Sequence, residues 1–333
     1  MARIVLGMGT SHGPMLVTPA DQWGQRVEAD RRNKAHPFRG KTYTFDELAA
    51  LRAGENFAAQ ITQEMWDKRH AACRAAIDRL ADVLDEVKPD VVVIVGNDQK
   101  EMFNDSNNPA FAVFTGATIE NRMGPEEEAG AREPGVGIAT PGRIPPEGAS
   151  YSGHPELAHH ITQHLTANNF DIATVTKLRE GRAAMGHAFG FVYRQIMRDR
   201  VIPNVPIIVN TFYPPNQPTV ARCYELGKHL RAAIESWPKD MRVALIASGG
   251  LSHFVIDEDV DHAIIEAMRT GKIASVEEFG EATFQSGTSE IKNWVPVAGT
   301  MADLGLPFTQ VDYVPCYRSI AGTGNAMGFV YWR

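Results

Sequence analysis

Val91-Val92-Val93-Ile94-Val95-Gly96-Asn97-Asp98-Gln99 is the stretch that decides the fold. Five consecutive β-branched residues leave no polar face, so the run suits a strand buried on both sides, as in a sheet covered by helices. It ends in a polar loop whose side chains can do chemistry. Three other runs repeat that design. Ile4-Val5-Leu6 leads to Thr10-Ser11-His12-Gly13-Pro14, and Pro206-Ile207-Ile208-Val209 leads to Asn210-Thr211. Val243-Ala244-Leu245-Ile246-Ala247 leads to Ser248-Gly249-Gly250-Leu251-Ser252-His253. In such sheets ligands collect beyond the carboxyl ends of the strands, where these loops would lie.

Helical patterns separate the runs. Residues 60 to 87 put Ile61, Met65, Ala72, Ala76, Ile77, Leu80 and Leu84 on one broad face, and Lys88-Pro89 stops the helix. Pro155 to Leu165, Val220 to Ile234, 259 to 270 and 290 to 304 read as further helices. The expected fold class is α/β: a central, mostly buried sheet covered by helices, in a single large domain over residues 1–333. Two segments break the pattern. Residues 20–55, with Asp30-Arg31-Arg32-Asn33-Lys34, read as an inserted surface segment. Residues 104–152, with Gly124-Pro125-Glu126-Glu127-Glu128 and Pro145-Pro146, read as a long loop, which in a compact domain is usually functional or disordered.

Composition narrows the function classes. The 333 residues are 44% hydrophobic and 22% charged, ordinary globular usage. A net charge of -7, from 33 basic and 40 acidic residues, and the lack of a basic stripe speak against nucleic acid as a partner. Cys73, Cys223 and Cys316 are odd in number and form no CxxC pair, which suits a reducing compartment better than a disulfide framework. No apolar window reaches the roughly 18 residues of a membrane span, and the first apolar stretch is too short for a signal peptide. A cytoplasmic protein is expected.

The candidate chemistry sits in the strand-end loops. His12 and His253 follow two different runs, so their imidazoles can converge on a metal, do acid/base work, or both. Glu290, in Ser286-Gly287-Thr288-Ser289-Glu290, begins a helical stretch and reads either as a helix N-terminal carboxylate or as a metal ligand completing a facial set with imidazoles. His187, between glycines in Met185-Gly186-His187-Ala188-Phe189-Gly190, reads as a pocket-lining donor. The His154-Pro155-Glu156-Leu157-Ala158-His159-His160 cluster lacks the HExxH order and is a weak metal candidate.

Taken together, Thr10-Ser11-His12-Gly13-Pro14, Gly96-Asn97-Asp98-Gln99, Ser152-Gly153-His154-Pro155-Glu156-Leu157-Ala158, Gly249-Gly250-Leu251-Ser252-His253 and Ser289-Glu290 with Trp294 resemble the class III extradiol ring-cleavage dioxygenases. The type is that of the catalytic β subunit of protocatechuate 4,5-dioxygenase and of the gallate dioxygenases. The resemblance implies an α/β fold holding a non-haem Fe(II), which opens a catecholic, carboxylated aromatic ring with O2. It also implies metal ligands at His12 and Glu290, an acid/base role for His253 and a pocket role for His187. The resemblance implies pairing with a small subunit or carrying it fused, and a homodimer or pairing with a small subunit is expected here.

One position departs from the pattern. The resemblance implies a second histidine ligand where this chain has Gln99, whose amide oxygen is a weaker, neutral donor. His70, His36 and Glu101 are the substitutes the sequence offers. The departure keeps two alternatives open: a metal-dependent hydrolase or lyase of the same fold, and a metal-free partner subunit of a dioxygenase.

Overall fold

A computed structural model describes residues 1–132 and 137–333. Among the described residues nine strands form one mixed sheet. They are β1 (Ala2–Thr10), β2 (Val91–Asn97), β3 (Phe111–Phe114), β4 (Ala173–Val175), β5 (Asn204–Val209), β6 (Met241–Ser248), β7 (His253–Val255), β8 (Phe308–Tyr317) and β9 (Thr323–Trp332). The order across the sheet is β7-β9-β1-β6-β2-β5-β3-β4, with β8 also paired to β9. β1, β6, β2 and β5 are parallel neighbours, whereas β9 runs antiparallel to β1, β7 and β8. The α/β class expected from the apolar runs is what the chain forms.

The central strand shows why its run has no polar position. Val91, Val93 and Val95 point into a core shared with helices α2 (Pro155–Ala167), α3 (Val220–Glu235), α4 (Glu258–Thr270) and α5 (Trp294–Met301). Val92 and Ile94 point the other way, against α1 (Gln63–Val87). Successive side chains alternate faces, so a strand covered on both sides must be apolar throughout. Each such aliphatic side chain contributes about 1.5–3 kcal/mol by leaving water. α1 is bounded as its sequence foretells, with the Thr62 side chain accepting the Met65 N–H and Lys88 closing the helix in a left-handed conformation. No helix of the described residues is long and apolar enough to cross a membrane.

Three segments differ from their local reading. Residues 20–55 form short helices and a hairpin pinned by buried Trp23, Asp30, His36, Phe45 and Leu48, so this charged stretch is anchored from beneath. Residues 104–152 are not one loop: Phe111–Phe114 enters the main sheet, Thr118–Asn121 pairs with Ala149–Ser152, and Pro125–Ala131 is helical, while 133–136 lie outside the described residues. A four-residue strand leaves too short a pattern to stand out among prolines and glycines. Finally, α5 begins only at Trp294, and Ser286–Asn293 winds as a tighter 3-10 run. That run packs directly on β7, since a Cβ on Gly287 would lie 2.3 Å from the His253 carbonyl oxygen.

Candidate metal centre

The parallel strands aim their carboxyl ends at one place. His12 follows β1, Gln99 follows β2, Ser248 ends β6 and His253 opens β7, while Glu290 comes from the 3-10 run and His187 starts the helix His187–Phe191. His12, Gln99, His187, His253 and Glu290 all line one cavity of about 340 Å³, within the size range of small-molecule sites.

His12 is held in one tautomer. Its Nδ1 lies 3.0 Å from the Ser248 hydroxyl oxygen, and that hydroxyl donates its own proton to the Ala188 carbonyl at 2.6 Å. Ser248 must therefore accept from Nδ1–H, which leaves a lone pair on Nε2. That Nε2 faces Glu290 Oε2 at 2.8 Å. Burial pushes the His12 pKa down and outweighs the pull of Glu290. Glu290 is buried too, which pushes its carboxyl up, but the His12 and His253 imidazoles hold it well below the ordinary carboxylate range. A neutral His12 in this tautomer and the Glu290 carboxylate both turn lone pairs to this point, a pair that a proton or a metal ion can bridge.

His187 stands beside this pair. Its ring centre is 4.7 Å from that of His12, with the planes at 83°. Glu101 accepts from His187 Nδ1 at 2.7 Å and from its backbone N–H at 2.9 Å, so Nε2 is again the free nitrogen. Burial pushes Glu101 up, but His187 and Arg143 prevail and hold it at about 2. Ligand atoms of His12, His187 and Glu290 lie within 4.8 Å of one another, the group of described residues that can hold a metal ion. Two imidazoles and one carboxylate fit a divalent first-row metal and leave open positions on it.

Gln99 does not extend an oxygen to this cluster. Its Nε2 donates to Glu290 Oε1 at 2.8 Å, beside Asn97 Nδ2 at 3.2 Å. The Gly250 N–H donates to Oε2 at 3.0 Å, and Asn293 Nδ2 donates to Asn97 Oδ1 at 2.8 Å. His253 donates Nδ1–H to the Leu251 carbonyl at 2.8 Å and keeps Nε2 3.6 Å from Glu290 Oε2. Of the substitutes, Glu101 lines the cavity but is engaged by His187, while His36 bonds the Asp30 carbonyl and His70 packs on Trp23, both outside the lining. The His154 cluster is spent on structure: His154 caps α2, His160 bonds the Ala233 carbonyl and Glu156 pairs with Lys239.

Residues 59–326 match the family model of the catalytic LigB subunit of aromatic ring-opening dioxygenase. The chain belongs to that family. It is similar to gallate dioxygenase of Pseudomonas putida, 36% identical over 121 residues, which cover 35% of this chain and 33% of that protein. It is also similar to 2,3-dihydroxyphenylpropionate/2,3-dihydroxicinnamic acid 1,2-dioxygenase of Comamonas testosteroni, 29% identical over 206 residues, 60% of this chain and 52% of that one. The chain thus matches about a third to a half of the length of these curated relatives. An uncharacterized protein of Escherichia coli K12 aligns over 99% of this chain and 100% of its own, with a TM-score of 0.48 and 13% identity.

In this member of the LigB family the cavity lining also carries arginines that no local motif announces. Arg143 and Arg318 both line it. Among the described residues Arg143 Nε is buried with no hydrogen-bond partner, and Glu101 is the carboxylate near it, 3.8 Å from Nη1. Arg318 is fixed by Asp30, which accepts from Nε at 2.7 Å and from Nη2 at 2.8 Å. Its Nη1 makes long contacts to Asn325 Oδ1 at 3.4 Å and Met15 Sδ at 3.9 Å. Phe191, Phe254 and Ile144 supply apolar lining. Ser248, Asn97, Asn293, Arg143 and Arg318 were not singled out as site residues; for Ser248 and Asn97 their place in strand-end loops was a signal.

Proposed function

We propose that this chain is a non-haem Fe(II)-dependent extradiol dioxygenase that opens a catecholic, carboxylated aromatic ring with O2. The observation that carries the reading is the His12 Nε2–Glu290 Oε2 contact of 2.8 Å inside the cavity, with His187 beside it. Family membership supports the general reaction, aromatic ring opening by a dioxygenase.

His12 and Glu290 would hold the metal, with His187 at the same centre. Bound Fe(II) supplies the electron path between ring and O2 that no side chain provides. The protein's own part is binding and proton movement. His253, with Nδ1–H committed to the Leu251 carbonyl, offers Nε2 to a substrate hydroxyl and can return the proton to the departing oxygen. Phe191, Phe254 and Ile144 flank a planar ring, and the Arg143 guanidinium, which lines the cavity, meets a ring carboxylate.

The test is anaerobic loading with Fe(II), followed by metal analysis and O2 uptake with a panel of catechols bearing or lacking a carboxylate. One iron per chain with catechol-dependent uptake, lost in Glu290→Ala, is expected. Zinc without uptake would point to a hydrolase or lyase, and an empty site to a metal-free partner subunit; either overturns the reading.

A further inference from the structure

The loop after β2 carries an amide where a ligand imidazole is implied, and the geometry shows what the amide does instead. Glu290 Oε1 is occupied twice over by N–H donors, Gln99 Nε2 at 2.8 Å and Asn97 Nδ2 at 3.2 Å. Its Oε2 is the oxygen that faces His12. Turning the Gln99 amide to offer its oxygen would break the bond to Glu290 and set two oxygen lone pairs against each other.

His187 is built as a ligand on the same plan as His12. Each imidazole gives its Nδ1 proton to a buried acceptor, Ser248 for His12 and Glu101 for His187, and each keeps Nε2 free, with a ligand nitrogen of both rings within 4.8 Å of a Glu290 oxygen. Outer partners of this kind fix the ring of a metal-bound histidine and raise its basicity. Two imidazoles bound to one ion place their ring centres about 4.6 Å apart at a right angle and about 5.3 Å apart at a tetrahedral one, from a metal–nitrogen distance of about 2.1 Å and the ring radius. The observed separation is 4.7 Å, with perpendicular planes.

From these contacts we infer that His187 is the second imidazole ligand of the metal, and that Gln99 is a positioning residue which holds Glu290 to binding through Oε2 alone. The inference rests on the proposed metal centre at His12 and Glu290. A carboxylate confined to one oxygen keeps further positions of the ion open for a chelating diol and for O2. The ligand role implied at residue 99 has moved to a different segment of the chain, and the amide left behind serves the carboxylate.

Cobalt(II) tests this without turnover, because its visible spectrum reports coordination number. The protein and its Gln99→Leu, Gln99→His, His187→Ala, His187→Gln, His12→Ala and Glu290→Ala variants are titrated with Co(II), with circular dichroism as the check of folding. Gln99→Leu is expected to keep one ion per chain at about 10–100-fold lower affinity, with a weaker visible band as Glu290 becomes bidentate. Both His187 variants are expected to lose binding by more than that, and Gln99→His to bind more tightly as a fourth protein ligand arrives. An empty site in Gln99→Leu together with wild-type affinity in folded His187→Gln would overturn the inference. Unchanged binding in His12→Ala and Glu290→Ala would instead overturn the metal centre itself.

Discussion

Glu101 grips His187 at two points, taking the Nδ1 proton on Oε2 at 2.7 Å and the backbone N–H on Oε1 at 2.9 Å. Both the rotation of the ring and the start of its helix are therefore set by one carboxylate. Glutamine offers one acceptor and one donor, so Glu101→Gln can satisfy only one of the two bonds. Metal affinity is expected to fall about 10–100-fold, measured by competition with a chelator; unchanged affinity would show that His187 is oriented by other contacts.

Arg143 is the group expected to choose the substrate. Its guanidinium lines the cavity, and a carboxylate on the ring would pair with it there. A charge-assisted hydrogen bond of this kind is worth about 1.5–3 kcal/mol. Arg143→Met should therefore raise KM for a carboxylated catechol roughly 10–100-fold and leave an uncharged catechol nearly unaffected. Equal losses on both substrates would remove Arg143 from carboxylate recognition.

Asp30 reaches Arg318 across the fold and anchors the 20–55 segment to the cavity wall. Arg318 and Asp30 are both buried, and Thr323 adds a third donor to the carboxylate at 2.7 Å. Asp30→Ala leaves a buried guanidinium without its counter-charge, a change that costs about 3–5 kcal/mol. The double variant Asp30→Ala/Arg318→Met should recover part of that loss in a denaturant melt. If the double variant is no more stable than the single one, the pair's charge is not the source of the effect.

Asp261 should leave a mark on stability versus pH. Burial pushes its pKa from 3.8 to about 7, even though the Ser252 N–H, the Ser252 hydroxyl and the Tyr313 hydroxyl all donate to it. The folded state thus holds a proton that the unfolded chain has released. The resulting stabilisation is complete below about pH 4 and is lost as pH rises through about 7. This one group contributes a downward slope of roughly 1 kcal/mol per pH unit across that window. Asp261→Asn should flatten the slope in unfolding measurements from pH 4 to 8, and an identical slope in the variant would assign it to other groups.

Local pattern carried much of the molecule. The run from Val91 to Val95 is β2, the face from Met65 to Leu84 belongs to α1 while Ile61 lies before that helix, and Val220 to Ile234 lies within α3, because strands and helices covered by a core write their periodicity into adjacent residues. The stretch from 290 to 304 was less legible. Its first residues follow the demands of the site, with Glu290 and Asn293 turned inward toward His12 and Asn97, and they wind as a 3-10 run before α5 begins.

What the sequence by itself determined is the α/β layering, the four strand-end loops and the residue types that chemistry needs there: His12, His253, Glu290 and the conspicuous Gln99. Only the tertiary structure decided who touches whom. His12 meets Glu290 across 278 positions, Gln99 turns its nitrogen to a carboxylate 191 positions away, and Asp30 pairs with an arginine 288 positions on. The physical reason is that repeating burial is dictated by neighbours a few residues apart, whereas the direction of a hydrogen bond and the partner of a buried charge depend on groups that folding alone brings within reach.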